Sequence, residues 1–400
     1  MISSLRSRKR RLSLPGTTAL LCFCVSIVLA QTTSPAPFKR PPRFALTKFY
    51  DTPTPLPAGK PGQLIRSEEF DEYDLAESVN AVRILYHSRS ATGGDVAASG
   101  VVLFPDGTPP RGGWPVIAWA HGLDGVARQC APSLSRNLEH GPFLSMYVNL
   151  GYAVVASDYS GLGTDFRGAF ADMRSNASDI VYSVPAARSA MPALGPRWVA
   201  MGIAEGGMAV VGVAELEHDL RDPNYLGSVA LSGLSDPQDV YASASVSNSN
   251  LPLYLAYGIK TVYPQFEVSE ILTAEALALF GSAQRACGVS EPSPKRQAAE
   301  FLKENWQSNR FVSQYFNRNR AGQVAAYRPL LVISGDAGHA TAGEKKIIAR
   351  MCAQGDQIQE ESYSDPDPGQ VIGDSVRDQI SWIQARFAGG VVPSNCAPKP

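Results

Sequence analysis

The chain has 400 residues, 44% hydrophobic and 18% charged, with a net charge of −1. That is ample for a large buried core and excludes global disorder. A pI near 6.5 excludes a strongly basic nucleic-acid-binding surface, and six cysteines are too few for a small disulfide-stapled scaffold.

Residues 1–30 read as a secretory signal peptide. Arg6, Arg8, Lys9, Arg10 and Arg11 form a basic start, an apolar run extends from Ala19 to Ala30, and small residues stand at Val28 and Ala30 before Gln31. The run falls short of the roughly 20 residues that span a bilayer, so a stable membrane anchor is not expected. Arg10-Arg11 fits a twin-arginine signal only loosely. Cleavage removes five basic residues and leaves 31 against 37 acids, a charge of −6. It also removes Cys22 and Cys24. The four that remain, Cys130, Cys287, Cys352 and Cys396, suggest two disulfides in an exported protein, with three pairings open. None lies at zinc-ligand spacing, so no metal is expected.

Eight prolines between residues 31 and 62 predict an extended leader, taken to residue 77, that wraps the surface. Strands follow at Val79–Tyr86 and Val96–Phe104, split by a turn at Gly93-Gly94. Val116–Ala120 is an unbroken apolar run suited to burial on both faces of a sheet. Tyr152–Ser157, Trp198–Met201, Leu226–Leu231 and Leu330–Ile333 repeat that type. Ile372, Val376, Ile380, Ile383 and Phe387 recur at helical spacing and predict a C-terminal helix. Strands alternating with helices predict an α/β protein with a mostly parallel sheet. The core halves are residues 78–235 and 328–400. Between them, residues 236–327 carry helical character at Ile271–Phe280 and Lys295–Glu304 and no buried strand, as an inserted helical cap would.

Trp198 to Gly207 runs from a buried strand into a helix expected near Met208, with Ala204 at the tip. This is the shape of a nucleophile elbow, where a strained residue sits between strand and helix. Gly202 and Gly206 would let strand and helix approach, and Gly207 would ease the helix against the sheet.

Here the sequence resembles the secretory lipases of the α/β-hydrolase superfamily, which include fungal lipase A-like enzymes and bacterial exported esterases. The resemblance is carried by Phe49-Tyr50, by Trp119 to Gly122 continuing to Cys130–Ser133, by Gly151 to Thr164, by Tyr257 to Pro264, and by Ile271 to Thr273, in the family's order. It implies an α/β-hydrolase core and an acyl or aryl pocket under a cap. It also implies a nucleophile at Ala204, an acid at Gly338 and a histidine at Pro368. All three chemical groups are absent, and a Ser–His–Asp triad needs each of them. The resemblance further implies that the backbone N–H groups of Leu123 and Glu205 face a carbonyl oxygen. An ionised Glu205 would oppose negative charge developing there. The same resemblance pairs Cys130 with Cys287 and Cys352 with Cys396.

Asp336 and His339 flank the vacant acid position. They read as a solvated polar loop, with a displaced dyad as the alternative. Ser160 and Ser232 lack the elbow frame and read as turn residues. Gly373-Asp374-Ser375 reads as the N-cap of a surface helix. Tyr254, Tyr257, Tyr263, Phe266 and Phe280 read equally as pocket wall and as core of the inserted segment. The expected function is a non-catalytic hydrolase relative that binds a small apolar or ester-like ligand without a cofactor. The alternatives are an esterase with a non-standard nucleophile and an interaction protein.

Overall fold

The computed structural model describes residues 42–242, 250–288, 301–335, 340–363 and 368–396. The signal sequence, most of the proline-rich leader before residue 42, and most of the helix expected at 295–304 lie outside them.

Nine strands form one sheet in the order β1-β2-β3-β5-β4-β6-β7-β8-β9. They are β1 Leu64–Glu69, β2 Val79–Arg89, β3 Asp95–Pro105, β4 Trp114–Ala120, β5 Ala153–Ser157, β6 Leu194–Ile203, β7 Tyr225–Leu231, β8 Leu330–Gly335 and β9 Ile358–Tyr363. β1, β2, β3 and β5 pair antiparallel in succession, and every pair from β5 across to β9 is parallel.

Each apolar run of the sequence is a strand, because a sheet covered on both faces buries every side chain along its inner strands. β4 illustrates this. Val116, Ala118 and Ala120 face α2 (Met173–Ala190) and α3 (Glu205–Leu220), packing on Met173, Ile180 and Val210. Ile117 and Trp119 face the opposite layer, formed by α1 (Gly141–Asn149) and the C-terminal helix, with Leu144, Tyr147 and Trp382.

Two strands escaped the sequence pattern. β1 lies within the expected leader, and β9 reads Ile-Gln-Glu-Glu-Ser-Tyr. Both are edge strands with one neighbour and largely half-exposed side chains, so neither needs an apolar run. The C-terminal helix is two helices, α9 Pro368–Asp374 and α10 Val376–Ala388, broken at Ser375. Ser375 does not cap α10. Its hydroxyl is buried, donates to the carbonyl of Ile372 and accepts from the Gln379 amide.

Between β7 and β8 the described residues form α4 Pro237–Ala242, α5 Leu251–Val262, α6 Ala274–Ala283 and α7 Arg310–Arg318, with an isolated bridge between Leu272 and Leu302. They share a separate apolar core built on Tyr254, Ile259, Phe266, Leu272 and Phe311. α8 (Ala340–Gln354) connects β8 to β9. Disulfides join Cys130 to Cys287 and Cys352 to Cys396, each with Cα atoms 5.2 Å apart. Among the described residues no helix is long and apolar enough to cross a membrane.

Candidate functional site

β4 through β8 are mutually parallel, so the loops that follow them leave the sheet along one edge. In open α/β sheets this is the edge where ligands bind. The turn after β6 has Ala204 at its tip with φ 51° and ψ −115°. A residue with a Cβ holds that conformation only when its surroundings fix it. The Ala204 N–H donates to the carbonyl of Leu231 at 3.1 Å, and its own carbonyl accepts from Gly207 and Met208 at 2.9 and 3.3 Å. These bonds start α3 at Glu205, three residues earlier than the sequence suggests, and place both glycines inside its first turn. A methyl on Gly206 would strike the carbonyl of Ala120, and one on Gly202 would lie 2.7 Å from Cβ of Ala120. Gly207 meets Gly233 beyond β7, where an added Cβ would stand 2.8 Å from its Cα.

The loop after β4 lies beside the tip, where a Cβ added to Gly122 would sit 3.6 Å from that of Ala204. His121 anchors this loop and stacks on Tyr159 at 4.2 Å. Its Nδ1 is 2.6 Å from the carbonyl of Gly122 and 3.2 Å from Asp124, and its Nε2 is 3.1 Å from the carbonyl of Asp158. Both ring nitrogens face acceptors, so the ring suits two protons. Burial works against that charge, but Asp124, Glu205 and the Asp158 carbonyl push the pKa up to about 9. His121 is thus a fixed cation that holds the loop, unlike a free base awaiting a serine proton. His87 pairs with Asp95 at 3.1 Å, and His140 packs against Trp119 with its pKa lowered by burial.

Glu205 follows the tip. Its Oε1 accepts from the Ala171 N–H at 2.9 Å and from the Asn176 amide at 2.8 Å. Burial raises its pKa to about 7 despite His121 and both donors, and Asp124 adds to the rise. Its N–H opens the first turn of α3, a position whose backbone donor has no partner within the helix.

Ala204, Glu205 and Leu123 line a common cavity of about 190 Å³. Its aromatic wall is Phe170, Tyr241, Tyr315 and Phe316. None of the five aromatics singled out from sequence lines the cavity: Tyr254 and Phe266 belong to the core of the helical segment, Tyr263 and Phe280 pack against that core, and Tyr257 is buried. Tyr254, for example, donates to the carbonyl of Gly288 at 2.8 Å. Phe170 lies in the loop after β5 and Tyr241 in α4, and neither carries a motif that marks it as lining. Ser232 also reaches the cavity. It directly follows β7 with φ 45°, and its Oγ is buried without a hydrogen-bond partner among the described residues. Ser160 does not line that cavity, and its N–H donates to Asp179 at 2.8 Å.

Gly338, Asp336 and His339 lie outside the described residues, between β8 and α8. Pro368 opens α9, directly after the undescribed residues that follow β9. Among the described residues no group of three His, Cys, Asp or Glu side chains is arranged to hold a metal ion.

No protein-family model matches the chain, and no curated protein matches it. Solved structures do. Lipase A from Candida antarctica in its closed state superposes with a TM-score of 0.75 at 18% identity, over 88% of this chain and 89% of that one. The rice cell wall degrading esterase LipA from Xanthomonas oryzae gives 0.65 at 16% identity, over 82% and 98%. A putative hydrolase from Legionella pneumophila gives 0.69 at 18% identity, over 82% and 100%. At such identities the likeness carries architecture and not activity: the chain has the α/β-hydrolase fold, with alanine at the tip of the turn after β6.

Proposed function

We propose that this chain is an exported α/β-hydrolase-fold protein that has lost Ser–His–Asp ester hydrolysis and binds a small apolar or ester-like molecule in the cavity over Ala204. The observation that carries this reading is Ala204 itself. The backbone at the tip keeps the strained form that presents a nucleophile, yet the side chain is a methyl group, which cannot attack a carbonyl. The resemblance to the secretory lipases further implies Gly338 in place of the acid and Pro368 in place of the histidine. The N–H groups of Leu123 and Glu205 remain as an oxyanion-like pair, but the Glu205 carboxyl beside them opposes a developing negative charge. The helical segment between β7 and β8 then serves as the cap. Export is supported by the basic and apolar start of the chain and by two disulfides, which persist in oxidising compartments.

Purified mature protein is expected to hydrolyse p-nitrophenyl butyrate about 10⁶-fold more slowly than an intact triad would. A serine-directed phosphonate is expected to leave no adduct by mass spectrometry. Saturable turnover near that of working esterases would overturn the reading. The second reading, an esterase with a displaced nucleophile, is favoured by Ser232, whose unpartnered hydroxyl lines the same cavity. A phosphonate adduct located on Ser232 would establish it.

A further inference from the structure

Besides Asn176, Ser235, Tyr241, Tyr315 and Asn319, the polar lining of the cavity over Ala204 has two groups with an open position. One is Glu205. Both donors to its carboxyl fall on Oε1, and among the described residues no hydrogen bond reaches Oε2. The other is Ser232, whose Oγ is buried without a partner. Both residues line the cavity, so an open carboxylate oxygen and an open hydroxyl, which can accept or donate, share the same space. The local charges point the same way. His121 supplies one positive charge to two carboxyls, Asp124 at 3.2 Å and Glu205, which leaves one negative charge uncompensated when both are ionised. The lining also includes Tyr241 stacked on Phe316 at 5.8 Å, an apolar face for the body of a ligand. A dry cavity of about 150 Å³ holds a benzene ring. The 190 Å³ here suits one ring with a short arm.

We infer that the cavity takes a compact ammonium ligand, its charged head on Oε2 of Glu205 and Oγ of Ser232 and its apolar body against Phe170, Tyr241 and Phe316. This rests on the reading that the cavity binds rather than cleaves. A neutral ester could accept from the Ser232 hydroxyl but would leave Oε2 of Glu205 without a donor, and an anion would meet the Glu205 charge directly. The groups facing Glu205 are His121 and Asp124 after β4, Tyr159 after β5, Asn176 of α2, Tyr241 of α4 and Tyr315 of α7. Of these, none is placed to reverse the sign: His121 stays charged to about pH 9, and the three tyrosines are pushed up by burial. Protonation of Glu205 near pH 7 therefore weakens ammonium binding as the pH falls.

The test is calorimetric titration of the mature, oxidised protein at pH 8 with three probes of one body: phenethylamine, 2-phenylethanol and 3-phenylpropionate. Phenethylamine is expected to bind at least about tenfold tighter than the alcohol, as a charged hydrogen bond allows, and the carboxylate weakest. The amine advantage is expected to shrink at pH 5.5. Glu205→Gln keeps an oxygen for Ala171 and Asn176, and it is expected to abolish the amine advantage while the alcohol binds as before. Ser232→Ala, which leaves Glu205 intact, is expected to weaken the amine severalfold and serves if Glu205→Gln does not fold. Equal binding of amine and alcohol by the unsubstituted protein overturns the ammonium assignment but leaves the cavity reading standing. Failure of all three probes overturns both.

Discussion

Ala204 holds φ 51° where a residue with a Cβ ordinarily loses about 1–3 kcal/mol. A working nucleophile would justify that strain, and a methyl group does not. Ala204→Gly is therefore expected to raise stability by about 1 kcal/mol in urea unfolding, strain relief outweighing the added freedom of the unfolded chain. Gly206→Ala is expected to cost at least about 2 kcal/mol, because its methyl would meet the Ala120 carbonyl rather than a yielding side chain. The elbow was legible in sequence because close approach of helix and strand demands glycine at fixed offsets from the tip. Phe170, Tyr241 and Ser232 were not legible as cavity residues. They reach the elbow from separate elements, and the strand pairing of β6 with β7, the Ala204–Leu231 bond and the packing of Gly207 against Gly233 bring the end of β7 to it.

At the scale of elements, one contact couples the core to the helical segment. Asp172 caps α2 through the Ser175 N–H at 2.9 Å and pairs with Arg318 of α7 at 2.6 Å, with its own side chain fully buried. Arg318→Leu is expected to cost about 3–5 kcal/mol, since it leaves a buried charge without its counter-ion. The double variant with Asp172→Asn is expected to recover part of that loss, as read from paired denaturation curves. The inner strands were legible because burial on both faces forces continuous apolar runs. β1 and β9 were not, because an edge strand with polar, half-exposed side chains looks like loop. The break at Ser375 was hidden for a related reason: apolar residues keep helical spacing across it, and only the side-chain bonds of Ser375 and Gln379 mark the join.

Over the whole molecule, Asp179, Glu205, Glu215, Glu217 and Glu344 all have pKa values raised to about 7, chiefly by burial. Their folded values lie above the unfolded ones, so the native state retains protons that the unfolded chain releases above about pH 4.5. Stability from these groups is fullest below that pH and drains away as the pH rises through 7. His121 acts in the same direction, its contribution lasting below about 6.5 and fading as the pH passes 9. His140, lowered by burial, works the other way below its ordinary value. The urea midpoint is expected to be higher at pH 5 than at pH 8, and an unchanged or reversed order would refute this account. None of this was legible beforehand, since the burial that raises these carboxyls comes from packing between elements and leaves no mark in the sequence. The Cys130–Cys287 bond adds one more consequence. It fastens the loop after the Leu123 turn to the chain just beyond α6 in the helical segment, where the Gly288 N–H also donates to the carbonyl of Asp124 at 2.7 Å. With that bond closed, this side of the segment cannot swing away from the sheet while the core stays folded. Its freedom to open thus follows the redox surroundings: tied where thiols stay oxidised, released once the tether is cut.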